Sequence, residues 1–209
     1  MTTCAASIYL ASKSPRRGEL LRQIGVRFDL LLLRSDGSRA VDVSEIVHPG
    51  EAAPAYVLRV AQEKADFAWQ AMQWRNLAPR PVLAADTSVI VDGEILGKPA
   101  DAVEAMSMLT RLSGRTHQVL TALALRCGDQ MAQAEQVLQV SEVRFGVLSP
   151  QMIAAYCAAQ EPHDKAGGYG IQGMAACFIE RIEGSHSGIM GLPLFETTQL
   201  LRRAGIPIL

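Results

Sequence analysis

The dipeptide Asp92-Gly93 restricts the fold of this chain more than any other short feature of its sequence. It separates two strand-like runs, Val89-Ile90-Val91 and Glu94-Ile95-Leu96. An Asp-Gly pair readily takes the positive φ angles of the tight turns that join antiparallel strands. The pattern therefore predicts a β-hairpin, and it argues against a sheet made only of parallel βαβ repeats.

Strand-like and helix-like segments alternate irregularly along the rest of the chain. Apolar spacing and capping residues predict helices over 15–24, 54–72, 102–112, 150–160 and 193–204, and strands over 8–11, 28–33, 82–85 and 175–182. Two longer β-rich stretches, 116–125 and 136–145, are expected to pair as antiparallel strands, and 34–44 is expected to be a loop. We therefore predict an α/β fold with a mixed, largely antiparallel central sheet and flanking helices.

Composition bounds both the size of the core and the kinds of partner. The chain has 209 residues, of which 49% are hydrophobic and 20% charged. This suits one domain over 1–209 with a substantial core, built either as one large body or as two small lobes that share the core. Its 20 basic and 21 acidic residues give a net charge of −1, so it lacks the overall positive field of a duplex-binding protein. No apolar run approaches the ~18 residues of a membrane span. We expect neither nucleic acid nor a membrane as a partner.

The cysteines and the N-terminal residues indicate the cellular compartment of the protein. The four cysteines show no paired spacing of the zinc or redox type, and they are Cys4, Cys127, Cys157 and Cys177. We expect reduced, mostly buried thiols in a cytoplasmic protein. No basic stretch precedes the first short apolar run, so we expect a lead-in to a strand rather than a signal peptide.

The segment Ser12-Lys13-Ser14-Pro15-Arg16-Arg17 places two hydroxyls and three cations at the start of a predicted helix. Ser14 is the expected N-cap and Pro15 the first helical residue. Free backbone N–H groups and the helix dipole favour anions there, and guanidinium groups pair with phosphate oxygens. A polyphosphate site and an ordinary solvated helix start with surface arginines both fit this pattern.

Two charged residues adjoin apolar runs. Lys64 lies on the apolar face of the helix 54–72, either as a lysine that reaches solvent at the edge of the core or as a cation that binds a ligand. Asp86 follows the buried-type run Val82-Leu83-Ala84-Ala85, which makes it a candidate general base or metal ligand. An aspartate that caps a turn is the alternative for Asp86.

Three segments have a spacing close to that of known motifs, but the residues in or around them do not match those motifs. The segment 93–99 is one residue short of P-loop spacing, although Lys98 stays available for a phosphate contact. The segment 168–173 matches G-x-G-x-x-G, but a polar stretch precedes it and a strand-like run follows, so we expect no nicotinamide-binding fold. A loop that presents Gln172 to a base, or a structural glycine turn, fits better. His186 holds the place that serine has in a nucleophile elbow.

Taken together, these motifs resemble the Maf family of nucleotide pyrophosphatases. The shared motifs keep the family's order and cover nearly the whole chain: 11–17, Glu63-Lys64-Ala65, Ala85-Asp86-Thr87, Leu96-Gly97-Lys98-Pro99, 112–117, 164–173 and Gly191-Leu192-Pro193. The resemblance implies two lobes around a deep cleft, similar to the inosine triphosphate pyrophosphatases. It also implies a homodimer that hydrolyses nucleoside triphosphates between the α and β phosphates, giving a monophosphate and pyrophosphate with a divalent metal.

The resemblance further implies a role for each candidate residue. Asp86 would accept the proton of the attacking water, and Glu45 together with Asp86 would hold the divalent cation (Mg²⁺, Mn²⁺ or Co²⁺). The residues implied in phosphate binding are Ser12, Arg17, Lys64, Lys98 and Lys165. Those implied in base selection are Arg16, Thr87 and Gln172.

The loop 164–173 resembles that of the family subgroup acting on dTTP and UTP. The amide of Gln172 can both donate and accept, which suits the imide edge of uracil or thymine. The alternatives are the same reaction on 7-methyl-GTP or modified pyrimidine nucleotides, and a nucleotide-binding regulator of cell division that does not hydrolyse. The chain departs from the family pattern at three places. The segment 34–40 is an apparent insertion, His186 stands where a tyrosine is common, and Gly188 stands where an asparagine is common.

Overall fold

The computed structural model of the chain describes residues 7–33, 42–128, 134–159 and 161–208. The segment 34–41 lies outside these ranges, so the predicted insertion at 34–40 and most of the predicted loop at 34–44 are not described. Cys4 also lies outside them, as does the segment ahead of the first strand up to residue 6.

The described residues form strands, helices and short 3₁₀ turns. The strands are β1 (Ile8–Leu10), β2 (Phe28–Leu30), β3 (Val82–Val91), β4 (Glu94–Leu96), β5 (Thr116–Arg126), β6 (Glu135–Phe145) and β7 (Ile179–Glu183). The helices are α1 (Pro15–Gln23), α2 (Ala53–Trp74), α3 (Ala102–Leu112), α4 (Pro150–Cys157), α5 (His186–Ile189) and α6 (Leu194–Arg203). The 3₁₀ turns cover Glu161–Asp164, Ala166–Gly168 and Met174–Phe178. No helix within these ranges has the length and apolar character to cross a membrane.

The strands form a mixed sheet in the order β2-β1-β3-β5-β6-β7, with β4 paired to β3. β1 runs parallel to both β2 and β3, and Tyr9 lies opposite Asp29 on one side and Val82 on the other. The β3–β4 and β6–β7 pairs are antiparallel. This arrangement confirms the predicted mixed α/β fold with a central sheet and flanking helices.

The predicted hairpin turn is present. Val91 pairs with Glu94 across a two-residue loop, in which Asp92 has φ 55° and Gly93 has φ 78°. Both angles lie in the left-handed region that an Asp-Gly pair tolerates. The predicted start of α3 is also confirmed, because the Asp101 side chain accepts from the backbone N–H of Glu104 at 2.8 Å.

The chain forms two compact units. The first unit contains the described residues up to Asp86, those between Ala122 and Leu138, and those from Gly191 onward. The second unit contains the described residues of 87–121 and 139–190. Strands β3, β5 and β6 each contribute residues to both units. The cleft that the family resemblance implies stays a prediction.

Each unit has its own core. In the first, α2 buries one stripe at the helical spacing of three and four residues, formed by Val57, Val60, Ala61, Ala65, Ala68 and Met72. In the second, the buried Phe145 ring contacts Tyr169 and Phe178 edge to face, at centroid distances of 4.8 and 6.1 Å. Such pairs add to the stability that area burial already provides.

The predicted end of the third strand is wrong. β3 does not stop at Ala85 but continues through Asp86 to Val91, and all its residues except Thr87 are buried. A carboxylate inside a buried strand needs a compensating charge, and Asp86 receives one from Lys64 at 2.8 Å. The alternative of a turn-capping Asp86 is therefore wrong as well.

Two later boundaries also differ from the prediction. The expected strand 175–182 begins as the 3₁₀ turn Met174–Phe178, and only Ile179–Glu183 forms β7. The carboxylate of Glu161 explains this, because it accepts from the Met174 N–H at 3.0 Å and fixes the start of the turn. α4 ends at Cys157 rather than near residue 160, and the short helix α5 was not predicted.

Candidate active site

The segment after β1 brings a hydroxyl and a guanidinium together in the first unit. Ser12 is buried, and its Oγ accepts from the Ser14 N–H at 3.2 Å and from Arg17 Nη1 at 3.1 Å. Arg17 Nε donates to the Gly191 carbonyl at 2.8 Å. Helix α1 begins at Pro15 with Ser14 at the N-cap, as predicted, although the Ser14 side chain makes no capping bond. The alternative of a solvated helix start with surface arginines therefore does not describe Ser12 and Arg17.

The environment of Arg17 links this segment to two acidic residues of the same unit. Burial lowers the pKa of the Arg17 guanidinium, while the charges of Asp86 and Glu45 raise it and that of Arg16 lowers it further. β1 and β3 run in parallel, and Leu10 lies opposite Leu83. Ser12 comes two residues after Leu10, and Asp86 comes three residues after Leu83. Parallel strands thus carry the hydroxyl and the carboxylate toward the same end of the sheet.

Lys64 binds two carboxylates at once. Its Nζ lies 2.8 Å from Asp86 Oδ1 and 2.7 Å from Glu45 Oε1. Asp86 is 7% exposed and the Lys64 side chain 16% exposed, whereas the Glu45 side chain is 47% exposed. Of the two interpretations of Lys64, the structure therefore shows a cation facing acidic groups rather than one directed only to solvent.

Tyr56 is part of this cluster, and the sequence analysis missed it. Its hydroxyl donates to the Glu45 carbonyl at 3.0 Å, and burial raises the pKa of Tyr56 to about 12, with help from the charges of Asp86 and Glu45. Tyr56, Val60 and Lys64 follow one another at four-residue spacing on α2, so they share one face of the helix. That spacing is the signal that could have identified Tyr56.

Arg59 holds the segment that carries Glu45. Its guanidinium donates to both carboxylate oxygens of Glu51, at 2.7 and 2.8 Å, and to the Ile46 carbonyl at 3.0 Å. The bond from Arg59 lowers the pKa of Glu51 to about 2. The backbone next to Glu45 is therefore fixed from α2 on two sides, by Tyr56 and by Arg59.

The carboxylates of Glu45 and Asp86 are the described groups of this cluster whose chemistry suits a divalent cation. Both reach the same ammonium group, and carboxylate oxygens are the ligands that Mg²⁺ and Mn²⁺ prefer. Among the described residues no group of three or more His, Cys, Asp or Glu side chains could hold a metal ion. With two carboxylates as protein ligands, the other ligands of the cation would be water and phosphate oxygens, which is common for Mg²⁺.

In the second unit, Thr87 takes part in a short chain of hydrogen bonds. Its Oγ1 lies 3.0 Å from the Oγ1 of Thr121, which is fully buried. Thr121 Oγ1 in turn donates to the Gly188 carbonyl at 2.8 Å. The sequence analysis singled out Thr87 but not Thr121, which is 34 residues away along the chain and has no motif around it.

The other candidate residues of the second unit lie on connecting segments. Lys98 and Gln172 are exposed, and the segments of Lys98 and Lys165 are joined by a bond from the Gly167 N–H to the Gly97 carbonyl at 2.9 Å. Lys165 Nζ donates to Asp164 Oδ1 at 2.6 Å and to the Glu161 carbonyl at 2.7 Å. Lys165 is therefore held close to its own segment.

A separate cavity of about 490 Å³ lies in the first unit. It is lined by Ser7, Arg22, Val26, Arg27, Phe28, Asp29 and Arg80. Ser7, Arg27 and Arg80 precede the amino ends of β1, β2 and β3, whereas Ser12 follows the carboxyl end of β1 and Asp86 lies inside β3. The Arg80 guanidinium already donates to Ser7 and Asp29. The cavity therefore does not contain the candidate residues.

Known proteins resemble this chain in sequence and in structure. A relative from Aromatoleum aromaticum, named dTTP/UTP pyrophosphatase, is 53% identical over 209 residues, covering 100% of both chains. One of the same name from Nitrosomonas europaea is 50% identical over 208 residues, covering 100% of this chain and 99% of its own. The solved structure of a HAM1 protein from Coxiella burnetii aligns with 94% of this chain and 98% of its own, at 18% identity and a TM-score of 0.49. The sequence model of the Maf-like proteins matches residues 7–204, and the chain therefore belongs to the Maf-like protein family.

Proposed function

We propose that this chain hydrolyses nucleoside triphosphates at the α–β phosphoanhydride, with dTTP and UTP as preferred substrates. The observation that carries the proposal is the single ammonium of Lys64 between the carboxylates of Asp86 and Glu45. A nearly buried carboxylate held by one cation is suited to proton transfer beside an anionic substrate. Further support comes from the two relatives, both named dTTP/UTP pyrophosphatase, which share half or more of their residues with this chain.

Asp86 is the general base in this proposal. It takes a proton from the attacking water, whose oxygen bonds to phosphorus as the bond to the departing pyrophosphate breaks. Its place inside a paired strand fixes the carboxylate, and the bond from Lys64 fixes its orientation. Positioning of this kind supplies much of the catalysis in phosphoryl chemistry.

Cationic and hydroxyl groups bind the triphosphate. In the first unit, Ser12, Arg17 and Lys64 are held by bonds that exist without any ligand, so their binding geometry is preorganised. Lys98 and Lys165, in the second unit, are proposed to bind phosphate oxygens as well. Arg16, Thr87 and Gln172 are proposed to select the base.

A divalent cation is also part of the proposal, and Glu45 and Asp86 would hold it. When bound, the cation neutralises charge that develops on the phosphate oxygens. Lys64 keeps the two carboxylates close together, because one ammonium bonds to both of them.

The test measures pyrophosphate release from UTP, dTTP, CTP, GTP and 7-methyl-GTP with Mg²⁺ or Mn²⁺. We expect the wild type to prefer UTP and dTTP. Asp86→Asn is expected to lower kcat by about 10²- to 10⁴-fold while the protein stays folded, since the amide keeps the size of the side chain but cannot accept the proton. Asp66→Asn, which removes the charge of a carboxylate that pairs with Arg126 elsewhere in the first unit, is the matched control and is expected to keep wild-type activity.

Each result has a distinct meaning. Near-normal turnover by Asp86→Asn would overturn the assignment of the base. Turnover of 7-methyl-GTP alone would keep the reaction and overturn the proposed base preference. Nucleotide binding without turnover of any substrate would favour a nucleotide-binding regulator.

We also propose that the chain acts in the cytoplasm as a homodimer. Within the described ranges, Cys127, Cys157 and Cys177 are not joined in disulfides, as suits a reducing compartment. The dimer follows from the family resemblance, and the net charge of −1 continues to predict that nucleic acid is not a partner. Cell fractionation and light scattering on the purified protein test the compartment and the dimer.

A further inference from the structure

We propose that Glu161 is a positioning residue for base selection, because its carboxylate holds the turn that carries Gln172. The proposal rests on the proposed function and names a further residue on which the base preference of that site depends. Glu161 acts through Gln172 and is not itself a catalytic residue.

Gln172 occupies the third position of the tight turn Gly170–Gly173. The Gly173 N–H donates to the Gly170 carbonyl at 3.0 Å and closes this turn. The Gln172 side chain is exposed, so the backbone of the turn sets the direction in which its amide leaves the chain. A group that fixes the turn therefore also fixes the place of the amide.

The carboxylate of Glu161 anchors the carboxyl end of this turn. Its Oε2 accepts from the N–H of Met174, the residue directly after the turn, at 3.0 Å. Its Oε1 accepts from the Tyr156 hydroxyl at 3.0 Å. Tyr156 is buried on α4, and its ring packs edge to face on Phe178 at a centroid distance of 5.1 Å. The carboxylate therefore connects the turn to the core of the second unit.

The glycines at the two ends of the turn make room for charged side chains of the same unit. A Cβ at Gly173 would collide with Glu161 Oε1, although the φ of Gly173, −109°, is one that any residue adopts. A Cβ at Gly170 would lie 2.7 Å from Lys165 Cε. The last two glycines of the G-x-G-x-x-G spacing thus accommodate a carboxylate and an ammonium stem of this chain.

The main chain of Glu161 contacts a different candidate residue. Its carbonyl accepts from Lys165 Nζ at 2.7 Å, and Lys165 is a proposed phosphate-binding residue. A substitution of the Glu161 side chain removes the bonds to Met174 and Tyr156 but keeps this carbonyl. The turn of Gln172 can therefore be disturbed while the partner of Lys165 stays in the chain.

The consequence is a specific loss of base discrimination. In the proposed function the Gln172 amide recognises the imide edge of uracil or thymine. Hydrogen-bonding groups discriminate between substrates when they are held in position. Without the Glu161 carboxylate the Met174 N–H loses its acceptor and the turn loses its anchor, so the Gln172 amide distinguishes UTP from CTP less well.

The experiment compares Glu161→Ala with Glu161→Gln in steady-state pyrophosphate release from UTP and CTP. We expect alanine to lower the ratio of kcat/KM for UTP over CTP about tenfold. Glutamine offers an oxygen to the Met174 N–H and an amide to the Tyr156 hydroxyl, so its ratio should stay within about threefold of wild type. Glu183→Ala, at an exposed glutamate of β7, is the matched control and should keep the wild-type ratio.

Inhibition by inorganic triphosphate separates this role from a general structural one. Inorganic triphosphate has no base, so its inhibition constant should stay within about twofold of wild type in Glu161→Ala. A folded Glu161→Ala with the wild-type ratio would overturn the inference. A loss of triphosphate inhibition as large as the loss of selectivity would do the same, because Glu161 would then not act through Gln172.

Gly173→Ala provides a second route to the same state. The added methyl group displaces the carboxylate without removing it, so the UTP over CTP ratio should fall as in Glu161→Ala. In the double variant the methyl group has room, and the ratio should equal that of Glu161→Ala alone. Losses that multiply in the double variant would show that Gly173 and Glu161 act independently, against the inference.

Trypsin cleavage after Lys165 tests the anchor without any turnover. Cleavage requires local opening of the segment, so it should be faster in Glu161→Ala than in the wild type and in Glu183→Ala. Equal cleavage rates in the three proteins would overturn the anchor. If the wild type releases no pyrophosphate from UTP or dTTP, the proposed function itself fails while the cleavage rates still test the anchor, and the two failures are thereby distinguished.

Discussion

The two units carry their candidate residues in different ways. In the first unit, Ser12, Arg17, Lys64 and Asp86 bond to one another or to fixed backbone, and none of them is fully exposed. In the second unit, Lys98 and Gln172 are exposed on segments between regular elements. The four candidates of the first unit are thus already bonded in the folded chain, whereas Lys98 and Gln172 have exposed side chains.

This difference has a physical reason. A carboxylate and an ammonium lose much of their hydration when they are buried, so they require partners in the folded protein before any substrate arrives. Exposed lysine and glutamine side chains keep their hydration and need no such partners. The first unit should therefore lose both stability and activity when a member of its cluster is removed, and the exposed groups of the second should lose only affinity.

Lys64→Met tests the expectation for the first unit. It has the largest expected effect, because it should lower both stability and activity. Without the ammonium, Asp86 and Glu45 lose the one cation that pairs directly with both of them. We expect the free energy of unfolding to fall by about 2 kcal/mol and kcat/KM for UTP to fall about 100-fold. Urea unfolding and pyrophosphate release measure the two quantities.

Glu63→Gln is the matched control for Lys64→Met. Glu63 is the adjacent residue on α2 and its side chain is 41% exposed in a pair with Arg59, so both quantities should stay close to wild type. Wild-type stability and turnover in Lys64→Met would mean that the cluster neither holds the fold nor serves the reaction.

The pH dependence of stability comes next, because it affects the free energy of unfolding alone and leaves the candidate residues in place. His117 is buried beside Phe145, and burial lowers the pKa of His117 to about 4 from an ordinary value of 6.5. Between these values the unfolded chain binds the proton and the folded chain does not. The buried, neutral His117 therefore makes its full contribution to the free energy of unfolding above pH 6.5. This contribution, about 3 kcal/mol, is lost as the pH falls toward 4.

Urea unfolding at several pH values between 4 and 7 measures this contribution. His117→Gln should flatten the dependence in this window, whereas His48→Gln, a change at an exposed histidine of the first unit, should keep the wild-type slope. Equal slopes in all three proteins would show that His117 does not titrate as its burial requires.

Local chemistry was sufficient to predict part of this molecule. The Asp92-Gly93 turn, the Asp101 cap of α3 and the start of α1 at Pro15 depend on residues within four positions of each other. Such features are set by backbone preference and short-range hydrogen bonds, which the sequence displays directly.

Long-range compensation could not be predicted in the same way. Asp86 looked like the end of a strand because a charge is not expected in the middle of one, and the compensating Lys64 is 22 residues away. Thr121 and Gly188 are 67 residues apart, and neither has a charge or a motif that marks it. The roles of Tyr56 and Arg59 likewise depend on the segment around Glu45, which no periodicity reveals.

Lys98→Met tests the second half of the comparison and has the smallest expected effect. Lys98 is exposed, and its segment is held by a backbone bond from Gly167 to Gly97, so loss of the side chain should leave the segment in place. We expect the free energy of unfolding to stay within about 0.5 kcal/mol of wild type and KM for UTP to rise by about three- to tenfold. Because the attraction of an exposed cation for phosphate is screened, this rise in KM should shrink in high salt. Steady-state kinetics at low and high salt, compared with Lys64→Met, measure it. A large loss of kcat in Lys98→Met would instead place its ammonium on the reacting phosphate and remove the distinction between the two units.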